Sequence, residues 1–128
     1  MTTWRMQARV NVIHDGDTIY ADLDQGLGIW NRGTSPNGLG LRIAEINARE
    51  LTEPGGPDAR NHLAALIPAG TVLAVESLRW DKYAGRIDAN VTLPDGTDLA
   101  STLIAGQWAV AWDGTGTKPV PPWPRTVP

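Results

Sequence analysis

The chain has 128 residues, with 11 Lys and Arg against 14 Asp and Glu, a formal net charge of −3 and no cysteine. That length suits one domain able to bury a core without staples, and the missing cysteines exclude a disulfide framework and thiolate metal or redox chemistry. No apolar signal segment or membrane-length run is visible, so a cytoplasmic, monomeric, non-membrane protein is expected; the mild acidity excludes a chain-wide basic footprint for nucleic acid but not a local positive site.

Residues 4–13 put Met6, Ala8, Val10 and Val12 on one parity and Arg5, Gln7, Arg9 and Asn11 on the other, the period of a half-buried strand. His14-Asp15-Gly16-Asp17 interrupts it with turn chemistry. Residues 18–23 resume with Ile19, Ala21 and Leu23 opposite Tyr20 and Asp22, which makes a hairpin. Residues 24–40 are rich in Gly, Asn and Ser and read as a loop. A third strand is expected over residues 39–46, after which Asn47-Ala48-Arg49-Glu50 leaves the pattern.

Pro57 and Asp58 suit the first turn of a helix, where a missing N–H and a negative charge are both tolerated. Ala59, Leu63, Leu66 and Ile67 form its apolar face, and Pro68-Ala69-Gly70 stops it. Residues 71–78 form a fourth strand and residues 80–85 a polar loop. Ile87, Ala89, Val91 and Leu93 alternate with polar residues as a fifth strand. Thr97 or Asp98 can cap a short helix that Gly106 ends, and residues 108–112 can add a short strand.

The expected fold is therefore α+β and mainly β. Five strands with a helix between the third and fourth follow the order of an OB-fold barrel, here with two short helices over residues 1–113. Residues 114–128 form an irregular Gly- and Pro-rich tail; its last eleven residues hold five prolines. The tail either docks on a partner or folds back on its own barrel. The six scattered tryptophans are expected in core or packing roles, with a base-stacking platform the alternative. His62 reads as a structural or surface residue of the helix, and His14 as a turn residue.

Three groupings could carry chemistry. Asp15-Gly16-Asp17 brings two carboxylates around a glycine, which suits a hard cation and equally an ordinary hairpin turn. Arg42 lies within the third strand and Glu50 just past it; an arginine fork can hold phosphate and a glutamate can act on water, although a solvent-facing ion pair has the same signature. Asp81-Lys82-Tyr83-Ala84-Gly85-Arg86 sets a second arginine at the start of the fifth strand, or makes a plain basic loop.

Taken together and in this order, these groupings resemble the staphylococcal nuclease (thermonuclease-like) family across roughly residues 10–112. The resemblance rests on Val12-Ile13-His14-Asp15-Gly16-Asp17-Thr18-Ile19, on Leu41-Arg42 with Glu50, and on Gly56 with Ala59. It continues through Asp81-Lys82-Tyr83 with Gly85-Arg86, Asp98-Leu99, Leu103-Ile104 and Gly106-Gln107-Trp108-Ala109. It implies an OB-fold endonuclease, a Ca²⁺-dependent phosphodiesterase acting on DNA and RNA that leaves a 5′-hydroxyl and a 3′-phosphate. Arg42 and Arg86 match the family's phosphate-binding arginines, and Glu50 its water-activating glutamate. Asp15, Asp17, Asn47 and the Ala48 carbonyl match its Ca²⁺ site, and Lys82 and Tyr83 would contact substrate.

The chain departs from that pattern where Asn47 replaces an aspartate, Ala48 a threonine and Arg49 a proline, where Ala84 is inserted, and where the last long helix has no counterpart. A non-catalytic OB-type module binding nucleic acid or protein is the alternative expectation. Arg32, Arg42, Arg49, Arg60, Lys82 and Arg86 are the positive residues nearest these groupings, interleaved with acids, so modest and salt-sensitive affinity is expected.

Overall fold

The computed structural model describes residues 4–33, 36–80 and 86–128. In chain order the elements are β1 (Trp4–Asp15), β2 (Thr18–Asp24), β3 (Trp30–Asn31), β4 (Leu39–Ile43), β5 (Ile46–Ala48), α1 (Gly56–Leu66), β6 (Val72–Trp80), β7 (Arg86–Thr92), α2 (Leu99–Ala105) and β8 (Ala109–Ala111).

Strands pair in the order β1-β6-β7-β4-β2, and β1 pairs β2 again, which closes a five-stranded barrel. All of these pairings are antiparallel except β4 with β7, which is parallel, so the barrel is mixed. Closure removes the free sheet edges that an open sheet would expose. β3 extends the edge of β2, and β5 with β8 forms a separate two-stranded sheet.

The interior is filled by alternate residues of the strands and by one face of each helix. Ile19, Leu41, Ile43, Leu63, Leu73 and Leu99 are inaccessible to solvent. Ala59, Leu63 and Ile67 of the expected helical face are buried. Pro57 lies in the first turn of α1 with Asp58 beside it, and Asp98 caps α2 by accepting from Ser101 N at 3.0 Å.

Two sequence expectations need correction. Val12 does not share the inner face with Ala8 and Val10: a register shift between Val10 and Val12 turns it outward and brings Ile13 in. Residues 39–46 are not one strand. The backbone turns at Glu45, which has a φ of 63°, and the chain re-enters a strand through Asn47 and Ala48 to pair with β8. The four tryptophans with described side chains take packing positions around the core rather than within it. Trp30 is exposed beneath Arg9, Trp108 packs at the core's edge, Trp112 lies beside Lys118 of the C-terminal segment, and Trp123, within that segment, packs on Gly55. Aliphatic residues build the interior instead. The residue 80–85 loop, apart from Trp80, lies outside the described residues. No described helix is long and apolar enough to cross a membrane.

The candidate active-site cleft

Barrel register sets the site. Arg42 pairs with Thr18 of β2 on one side and with Asp88 of β7 on the other, while Gly40 pairs with Arg86. Leu41 and Ile43 point inward, so Arg42 points out, on the same face as Arg86 and Asp88. The β1–β2 turn delivers Asp15 and Asp17 to that face, and Ile43 N donates to Asp17 O at 2.9 Å to hold the turn against β4.

Two close approaches demand glycine. A Cβ on Gly16 would lie 2.8 Å from Ala48 Cβ and 3.0 Å from Ala59 Cβ. A Cβ on Gly56 would fall 1.8 Å from the Glu50 carbonyl oxygen. The first packs the aspartate turn against β5 and α1; the second lets the segment carrying Glu50 lie directly on the start of α1.

The result is a cleft of about 600 Å³ lined by Asp15, Asp17, Arg42, Glu45, Asn47, Glu50, Arg79, Arg86, Asp88, Trp112, Asp113, Gly114 and Lys118. Six of the expected site residues, Asp15, Asp17, Arg42, Asn47, Glu50 and Arg86, therefore share one cavity. Ala48 is not on its lining; its N–H donates to Asp17 Oδ2 at 3.0 Å. Lys82, Tyr83 and the inserted Ala84 lie outside the described residues. Of the other expected cations, Arg32 instead pairs with Asp22 at 3.5 Å, Arg49 bonds the C-terminal segment, and Arg60 does not line the cleft.

Arg42 is held before any ligand arrives. Its Nη2 donates to Ile46 O at 3.2 Å and lies 3.7 Å from Asp17 Oδ2, and its guanidinium sits 6.0 Å from the centre of the Trp112 ring. Asp17 is buried, and its pKa is pushed up to about 7. Burial is the main cause, reinforced by the charge and hydrogen bond of Asp15; the Ala48 N–H and Arg42 pull the other way. Asp15 Oδ1 accepts from Asp17 N at 3.1 Å. His14 Nε2 stands 4.0 Å from Asp15 Oδ2 on the strand side of the turn.

Glu50 is exposed, with its backbone fixed by Glu53, whose Oε1 accepts from Glu50 N at 2.7 Å. Its carboxylate meets Lys118 Nζ at 3.1 Å. Asn47 is 2% exposed, and its Nδ2 donates to Pro119 O at 2.7 Å. Arg79 pairs with Asp88 across the β6–β7 ladder at 3.2 Å. Arg79, Asp88, Trp112 and Lys118 were not singled out in the sequence as site residues. The pairing of Arg79 with Asp88 depends on a register shift between Ser77 and Arg79, and Lys118 is distant in sequence from the Glu50 it pairs with.

Asp15, Asp17 and Asn47 supply only oxygen ligands, the chemistry of a hard divalent cation, and such a cation would offset the repulsion between the two carboxylates. They fit as a partial donor set: no group of three or more His, Cys, Asp or Glu converges on one point among the described residues. The cleft lining carries six carboxylates and four cations. No family model matches the chain, and no curated protein is significantly similar to it.

Proposed function

We propose that the chain is a thermonuclease-like phosphodiesterase with an OB-type barrel, cleaving DNA, and RNA as a further substrate, to leave 3′-phosphate ends. The observation that carries this reading is that Arg42, Glu50, Arg86, Asp15, Asp17 and Asn47, drawn from three separate stretches of sequence, line one cleft. Packing of a barrel does not require that set. The strand order and the parallel β4–β7 pair are compatible with an OB-fold.

In this reading Arg42 and Arg86 bind the non-bridging oxygens of a phosphodiester. As water attacks phosphorus, negative charge grows on those oxygens, and guanidinium groups already oriented stabilise it without reorganising. Arg42 meets that requirement through Ile46 O and Asp17. Glu50 orients the water and accepts its proton; its exposure leaves the carboxylate accessible to solvent. Asp15, Asp17 and Asn47 would hold Ca²⁺, which when bound supplies charge neutralisation beside the phosphate.

The test is cleavage of plasmid and single-stranded DNA by purified protein with Ca²⁺ or with chelator, beside Glu50→Gln. Cleavage that needs Ca²⁺ and disappears in Glu50→Gln is expected; no cleavage by the folded protein with any divalent metal would overturn the reading. A non-catalytic binding module remains the second reading. It is favoured by one observation: Glu50 is engaged by Lys118 and the Asn47 amide by Pro119.

A further inference from the structure

The C-terminal segment borders the cleft at Gly114 and Lys118 and is fixed at several points beyond it. Asn47 Nδ2 donates to Pro119 O at 2.7 Å. Arg49 reaches Pro121 O with both Nε, at 3.1 Å, and Nη2, at 2.8 Å. Trp123 packs on Gly55 at the start of α1. Arg125 donates to Gly106 O at 2.8 Å and lies over the Trp108 ring, whose other contact is a stacked His62 at 4.3 Å.

Two of these anchors are residues at which the chain departs from the nuclease pattern. An aspartate at position 47 would have no donor for the Pro119 carbonyl, and a proline at 49 could not reach Pro121. Both departures therefore make sense as fixtures of the segment, and what they fix in place is Lys118.

Lys118 Nζ lies 3.1 Å from Glu50 Oε1 and 5.7 Å from the centre of the Trp112 ring, the same ring that Arg42 approaches at 6.0 Å. Trp112 is itself tied to the segment through Nε1, which donates to Thr115 O at 2.9 Å. The Lys118–Glu50 pair is solvent-exposed on both sides, at 41% and 61% of the side chains. A pair of that kind contributes little to stability and exchanges partners readily. The other anchors hold the segment in position without it, so the ammonium can leave Glu50 for a phosphate oxygen at little cost in stability. An ammonium is a compact phosphate-binding charge, and here it stands beside the same Trp112 ring as the arginine that would bind the scissile phosphate.

We infer that Lys118 is a substrate-binding residue of the cleft that takes a phosphate of the nucleic-acid strand, and that Asn47 and Arg49 are positioning residues that hold it there. The inference rests on the reading of the cleft as a nucleic-acid site. On substrate binding Lys118 releases Glu50, so one movement engages a phosphate and frees the carboxylate. The substrate class follows: a strand with a phosphate beyond the scissile one, rather than an isolated phosphodiester.

The experiment measures affinity for a fluorescein-labelled, cleavage-resistant phosphorothioate oligonucleotide in Ca²⁺ across a salt series. Each phosphate contact contributes roughly −0.7 to the slope of log K against log salt for a single strand. Lys118→Ala is expected to weaken binding at low salt and to flatten the slope by about 0.7, Lys118→Arg to keep the wild-type slope, and Arg49→Ala to follow Lys118→Ala. Thermal melting of Lys118→Ala near that of wild type is expected to accompany the loss. An unchanged slope in Lys118→Ala, or tighter binding and faster cleavage once the lysine is gone, would overturn the inference, the latter by showing that Lys118 shields the site. Wild-type protein that shows no salt-dependent binding at all would fail earlier and take the nucleic-acid reading with it.

Discussion

The barrel buries two aspartates, Asp17 in the turn that precedes β2 and Asp22 within β2, and treats them differently. Asp22 is 4% exposed and is surrounded by donors: Asn11 Nδ2 at 2.9 Å, with Arg9 and Arg32 each at 3.5 Å. Asp17 is 7% exposed and has Asp15 beside it, with its arginine at 3.7 Å. One carboxylate is neutralised by the fold. The other, crowded by Asp15 at the cleft, is only partly offset by Arg42 and the Ala48 N–H and holds its proton up to about pH 7. Burial alone therefore does not mark a functional acid; the balance of partners around it does.

The widest gap between the two should appear in catalysis. Arg42→Ala, which strips Asp17 of its cation and the phosphate of its donor, is expected to lower single-turnover cleavage in Ca²⁺ by about 10²–10³-fold. Asp22→Ala should leave that rate near wild type. In stability the order reverses. Asp22→Ala removes the shared acceptor of three donors and is expected to cost about 1.5–3 kcal/mol in urea unfolding.

The pH dependence sharpens the contrast. Asp17 is pushed from an ordinary 3.8 up to about 7, so the folded protein keeps a proton that the unfolded chain has released between those values. Stability measured in chelator should therefore fall as pH rises from 3.8 towards about 7, and Asp17→Asn should remove that decline. The smallest effect concerns the solvent side of Asp22. Arg32 is 69% exposed there, and Arg32→Ala is expected to cost about 0.2–1 kcal/mol, less at high salt.

Much of this architecture is legible in the sequence because strand alternation and helix boundaries are local properties. Ile19, Ala21 and Leu23 declare their face, and Pro57 and Asp98 mark the helix starts. Val12 misleads, because the register shift beside it has no residue signature. The break at Glu45 is equally silent, since a positive φ in a glutamate is set by β5 pairing with β8 rather than by propensity.

The candidate site divides the same way. Asp15, Asp17, Arg42, Asn47, Glu50 and Arg86 are legible through their joint spacing, because strand order carries each to the cleft. Arg79 and Asp88 come together through a cross-strand register, and Lys118 through the anchors of a distant segment; neither leaves a local pattern. Asn47 and Arg49, whose residue types have no local explanation in the sequence, acquire a reason only when Pro119 and Pro121 are seen beside them.

The most direct measurement is Ca²⁺-dependent DNA cleavage by Asp17→Asn and Asp22→Ala side by side, each confirmed folded. The expected result is a folded Asp17→Asn that has lost cleavage and a less stable Asp22→Ala that retains it. Wild-type cleavage by Asp17→Asn would contradict the assignment of the buried cleft carboxylate, and with it the cleft, to catalysis.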